Sequence, residues 1–129
     1  YRELAAQAEE VIVEGVGGFC VPLNEKQDSA DLAKQLDRPV VLVVGMRLGC
    51  LNHALLTQRV IADCQLEFAA WVANVQGSDM PALRENIEAL RERLSAPLLG
   101  VIPYQPQPDA QAAAAYLNLE LLEKKETDG

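Results

Sequence analysis

Basic residues are in short supply: 11 Lys and Arg stand against 19 Asp and Glu, a formal net charge of −8. A protein that wraps a phosphate backbone needs a basic face, so nucleic acid is not the expected partner. Histidine is scarcer still, with His53 alone in the sequence. Cys20, Cys50 and Cys64 are widely spaced and form no CxxC pair, which together with the single histidine argues against a structural zinc site. Any Ser-His-Asp or Cys-His catalyst would have to use His53. An odd number of scattered cysteines predicts a reducing, cytoplasmic setting. No apolar run approaches the roughly 20 residues that cross a bilayer. No cationic-then-apolar signal opens the chain, which starts at Tyr1 inside what reads as a helix, so a truncated sequence is expected.

What remains is a 129-residue chain that is 50% apolar, enough for one α/β domain over residues 1–129 with a sizeable core. Short apolar runs alternate with amphipathic stretches. Val11 to Val13, Val40 to Val44, Phe68 to Ala73 and Leu98 to Ile102 read as strands, the last stopped by Pro103. Val40 to Val44 is apolar on both faces, as a covered parallel strand should be. Ser29 to Leu36 reads as a helix with Ser29 as its N-cap, and Leu51 to Ala62 as a second. Met80 to Leu94 carries a Leu83, Ile87, Leu90, Leu94 stripe, with Ser78 or Asp79 as cap and Pro81 in the first turn. Ala110 to Lys125 reads as a last helix, with Lys124 and Lys125 at its negative end. Strands separated by helices predict an open parallel sheet with helices on both faces.

Ligands of such sheets bind beyond the carboxyl ends of the strands. Glu14, directly after an apolar run, is placed to meet a hard cation such as Mg²⁺, although a solvated glutamate before an ordinary turn is the plain alternative. Gly15, Val16, Gly17 and Gly18 let backbone N–H groups approach a phosphate or carboxylate. Gly49-Cys50-Leu51-Asn52-His53 opens a helix after the second strand, a natural anion receptor to which Asn52 and Arg47 add polar groups. Cys50 there is a possible nucleophile without an assisting base, and His53 reads as a packing or capping residue. Asn74 ends the third strand with an amide suited to a nucleobase edge. Pro103 and Tyr104 close the fourth on the same rim, and the stiff stretch from Gln105 to Asp109 borders the space where a ribose would lie. Trp71 reads as core or interface. Neither GxxxxGK[ST] nor GxGxxG occurs in the sequence.

Several segments carry a resemblance. Val13-Glu14-Gly15-Val16-Gly17-Gly18 with Val21-Pro22-Leu23 resembles the VEGAGG…VPL segment of the dethiobiotin synthetase family. The stretch from Arg38 to Thr57, containing Val43-Val44-Gly45-Met46-Arg47-Leu48-Gly49-Cys50-Leu51-Asn52-His53-Ala54, is similar to that family's most distinctive segment. Trp71-Val72-Ala73-Asn74 and Ala96-Pro97-Leu98-Leu99-Gly100-Val101-Ile102-Pro103 match in order and spacing.

The resemblance implies the C-terminal portion of a P-loop NTPase-like fold, working as a homodimer in biotin biosynthesis. The implied reaction is ATP- and Mg²⁺-dependent: CO2 is inserted between the two amines of 7,8-diaminopelargonate to close a ureido ring. By the same resemblance Glu14 binds Mg²⁺, Glu14 to Gly17 line the nucleotide phosphates, and Asn74, Val75 and Pro103 to Gln105 meet the adenine. Asp109 stands where the family has a ribose-contacting acid, in a loop one residue shorter. Gly49, Cys50 and Asn52 receive the substrate carboxylate across the dimer interface, Cys50 through its backbone. The family's P-loop and its lysine have no counterpart in this sequence, so the chain alone is expected to be inactive. A non-catalytic regulatory or scaffold domain of the same fold is the alternative.

Overall fold

The structure, a computed structural model, describes residues 1–123. A single turn, α1 (Arg2–Ala5), precedes a long irregular stretch that ends at α2 (Ser29–Leu36). Strands and helices then alternate as β1 (Val40–Met46), α3 (Cys50–Asp63), β2 (Phe68–Val75), α4 (Leu83–Arg93) and β3 (Leu98–Ile102). Two short helices follow, α5 (Ala110–Ala114) and α6 (Glu120–Glu123). The strands form a parallel sheet in the order β1-β2-β3. Among the described residues no helix is long and apolar enough to cross a membrane.

Each side of the sheet carries its own apolar cluster, as the α/β reading requires. On one, Val44 and Met46 of β1 and Trp71, Ala73 and Val75 of β2 pack with Cys50 and Ala54 of α3 and Ile87 and Leu90 of α4, with Leu94 just beyond it. On the other, Ala70, Val72 and Leu99 lie beneath Leu117, Leu121 and Leu122. The alternation of β2 side chains between the two clusters is the period-2 geometry of a strand buried on both faces. Trp71 is 0% exposed, confirming it as core, and among the described residues its indole Nε1 has no hydrogen-bond partner.

Five local expectations are corrected. Val11 to Val13 is not a strand: no described strand lies beside it, and Ile12 is 92% exposed. A β-branched run without a ladder partner has nothing to satisfy its backbone or cover its side chains. Nor is β1 covered on both faces, since Val41 and Val43 are exposed.

The caps also differ. The N-cap of α2 is Asp28, which accepts from the Asp31 N–H while the Asp31 carboxylate accepts from the Asp28 N–H. Ser29 instead pins the preceding loop: its hydroxyl donates to the Phe19 carbonyl at 2.7 Å and accepts from the Val21 N–H at 2.9 Å. Helix α4 begins three residues later than expected, at Leu83, with Ala82 as an N-cap at φ 53° and no side-chain cap. Neither Ser78 nor Asp79 caps it, and Pro81 lies outside it, although the Leu83 to Leu94 stripe packs inward as read.

The expected last helix is broken. Residues 115–119 form a turn seated on β3, where the Asn118 N–H donates to the Leu99 carbonyl at 2.8 Å. Lys124 and Lys125 lie outside the described residues. Gly100 permits this seating, because a Cβ there would overlap the Tyr116 carbonyl oxygen. Backbone cannot swing aside as a side-chain tip can, so Gly100→Ala should cost about 2 kcal/mol or more. In thermal melts it should lower Tm by roughly 5–10 °C; an unchanged Tm would show that the turn is not anchored there.

Gln58 of α3 makes a second anchor. Its Oε1 accepts from the Ser95 N–H at 2.7 Å and its Nε2 donates to the Arg93 carbonyl at 3.2 Å, clamping the end of α4. Gln58→Ala should cost about 1–2 kcal/mol in denaturant unfolding, and a loss below measurement error would rule out the clamp.

Candidate functional site

The register of the sheet decides what meets at its carboxyl rim. Asn74 is level with Gly45 of β1 on one side and with Ile102 of β3 on the other. Pro103, which follows Ile102, is therefore the next residue outward beside Asn74. Asn74 is half-buried, and its carboxamide makes no hydrogen bond to a described residue. A polar group in that position has donor and acceptor capacity left for a ligand. Val75 turns its side chain into the core, so only its backbone faces the rim.

On the β3 side, Tyr104 is exposed and Gln105 half-buried. The loop beyond them is closed by its own hydrogen bonds. Gln105 Oε1 accepts from the Asp109 N–H at 3.0 Å, and the Asp109 carboxylate accepts from the Gln111 N–H at 3.1 Å as the N-cap of α5. Asp109 thus has a structural task at the place where the sequence put a ribose contact. Its second oxygen makes no hydrogen bond to a described residue.

On the β1 side, three residues lead from Met46 into α3. Gly49 is the N-cap at φ 90°, a left-handed conformation that favours glycine. The helix has no side-chain cap and no acidic residue in its first turn, so its positive end is not neutralised by the chain itself. Cys50 is buried and offers only backbone to the rim, whereas Asn52 is exposed.

The glycine-rich segment reaches the same end of α3 from another direction. Residues 18–21 lie across a groove of about 230 Å³ from His53, Leu56, Thr57 and Val60. A Cβ on Gly18 would come within 3.9 Å of His53 Nε2, in the first turn of α3. Gly17 has φ 89° and leaves 3.2 Å between a would-be Cβ and Val21 Cγ2, so glycine is required there too. Glu14, Gly15 and Val16 are exposed and outside the strand ladder. Glu14 is consequently not at a strand end, as its sequence context suggested, but on a loop that approaches the α3 N-terminus.

Two thiols lie near the site. Cys50 is enclosed in the core. Partial burial, then the carboxylate of Asp28, the neighbouring Cys64 and Asp31, push the Cys20 thiol above its ordinary range. Among the described residues no group of three or more His, Cys, Asp and Glu side chains could hold a metal ion.

The sequence reading placed Gln76 at a strand end but gave it no role; its amide lies over Gly45 beside Asn74. Its signal was an isolated glycine inside a β-branched strand, which marks a close approach by another group.

Comparison with known proteins matches this sequence to a family. A family model described as an AAA domain matches residues 1–112. The chain is 53% identical over 122 residues to the ATP-dependent dethiobiotin synthetase BioD of Janthinobacterium sp. (strain Marseille), covering 95% of this chain and 52% of that protein. It is 55% identical over 119 residues to the protein of the same name from Aromatoleum aromaticum, covering 92% and 53%. For the one from Cellvibrio japonicus the figures are 52% over 118 residues, covering 92% and 52%. The chain spans about half the length of the curated relatives it matches. With a parallel sheet flanked by helices and a model match over most of its length, the chain belongs to the AAA-domain family, where the relatives it is similar to are dethiobiotin synthetases.

Proposed function

We propose that this chain is the C-terminal portion of a cytoplasmic dethiobiotin synthetase, a cyclo-ligase of biotin biosynthesis that uses ATP, Mg²⁺, CO2 and 7,8-diaminopelargonate. The observation that carries the reading is the 52–55% identity to ATP-dependent dethiobiotin synthetases along 92–95% of the chain. The rim geometry supports it. A half-buried, unpaired carboxamide beside Pro103 suits a nucleobase edge, and an uncapped helix start suits a carboxylate.

In the proposed reaction one amine of the substrate adds to CO2, forming a carbamate and releasing a proton. The carbamate oxygen takes the γ-phosphoryl group of ATP, leaving ADP. The second amine then attacks the carbonyl carbon and loses a proton, inorganic phosphate departs, and the ureido ring closes.

Asn74, the Val75 backbone and Pro103 to Gln105 hold the adenine, with the Asp109 carboxylate towards the ribose. Glu14, Gly15, Val16 and Gly17 face the phosphates. Gly49, Cys50 and Asn52 receive the substrate carboxylate at the α3 N-terminus, in a homodimer whose interface crosses that end. One exposed carboxylate fits Mg²⁺ delivered with a nucleotide, because that ion needs only one or two protein carboxylates when phosphates and waters complete its shell. Bound there, the ion would neutralise charge on the phosphates. The P-loop lysine has no counterpart in this sequence, so the 129-residue chain by itself turns over no ATP.

Two variants of the full-length enzyme test the assignment. Asn74→Ala should raise the KM for ATP roughly tenfold, the worth of one or two lost hydrogen bonds. Unchanged nucleotide affinity would remove Asn74 from the adenine site. Glu14→Ala should cut Mg-ATP turnover by on the order of 100-fold, as loss of a metal-binding carboxylate implies. Normal turnover across a magnesium titration would defeat the metal role.

A further inference from the structure

Gly45 interrupts an otherwise branched strand, and the space its side chain would fill is taken. An ideal Cβ on Gly45 would lie 2.8 Å from Gln76 Nε2, 2.9 Å from its Cδ and 3.0 Å from its Oε1. Three atoms at nearly equal distances mean that the Gln76 carboxamide faces Gly45 where a side chain would project. Gly45 is also the register partner of Asn74. The Gln76 amide thus lies over the strand next to that of Asn74, neighbouring strands being roughly 4.8 Å apart. Val75 between them turns into the core, leaving Asn74 and Gln76 as the polar groups of this strand end.

Among the described residues no hydrogen bond holds the Gln76 amide, although it lies folded back on the sheet. Folding back restricts a side chain rich in rotamers. Its result is a second donor-acceptor pair alongside that of Asn74, with neither amide committed to the protein.

We propose that Gln76 is a further nucleotide-positioning residue: its carboxamide, laid over Gly45, joins that of Asn74 in a polar edge that binds the nucleobase. This rests on the ATP-binding reading above. Gly45 serves the site indirectly, because any side chain there would push the amide off the rim.

The test uses the full-length enzyme and two probes, ATP and inorganic triphosphate, titrated calorimetrically. Gln76→Ala should weaken ATP binding about fivefold, the worth of one neutral hydrogen bond, and leave triphosphate binding unchanged. Gly45→Ala should weaken ATP by a similar factor, and in a Gln76→Ala background it should add nothing further. Gln76→Ala binding ATP as tightly as the parent, while Asn74→Ala has lost affinity, would overturn the role of Gln76 and leave the nucleotide site standing. Equal losses for ATP and triphosphate in Gln76→Ala would also overturn it, because a general distortion acts on both probes. If Asn74→Ala too retains full affinity, the nucleotide reading itself fails, and this proposal with it.

Discussion

The sheet of this chain is hung on β2. It is the strand with a parallel partner on each edge, and it is buried on each face. Ala69, Ala70 and Ala73 keep it thin, while Trp71 supplies bulk to one side. With both edges and both faces committed, the strand has a single register available. A slip of one residue would exchange the two apolar clusters and carry Asn74 from the rim into the core. The same pairing sets Gly45, Asn74 and Ile102 level with one another. The site is therefore a product of the ladder before it is a product of any loop.

The sequence made this core legible because three apolar runs have strand length and two helical stripes have the right period. Leu83, Ile87, Leu90 and Leu94 turn inward where their spacing put them. The rule that ligands gather at strand carboxyl ends then brought Asn74 next to Pro103 without any coordinates. What could not be read were features decided by a partner distant in sequence. Val11 to Val13 has strand chemistry but no described neighbour to pair with. Ser29 looks like a cap, yet its hydroxyl serves residues 18–21, while Asp28 and Asp31 do the capping. The break between α5 and α6 follows from Gly100, 15 residues before the turn it admits.

Two kinds of anchor hold the helices to this frame. Gln58 ties α3 to the end of α4 through backbone groups, so the link depends on amide geometry and not on charge. Ser29 ties the loop before α2 to itself in the same manner. By contrast, the ion pairs Arg91–Glu88 and Arg93–Glu92 lie on exposed α4 at 3.5 Å, where solvent screening leaves them little weight. A chain with eight excess negative charges has reason to rely on neutral hydrogen bonds for its internal fastening.

The enclosure of Trp71 has a practical side. It is the sole tryptophan of the sequence, sits in the middle of β2, and has no polar group bonded to its indole among the described residues. An indole in so apolar a medium fluoresces at shorter wavelengths than one in water, and its emission moves to the red as soon as solvent enters. The protein carries its own optical gauge at the centre of the sheet, silent to changes in the surface loops and responsive to any loosening of the three strands.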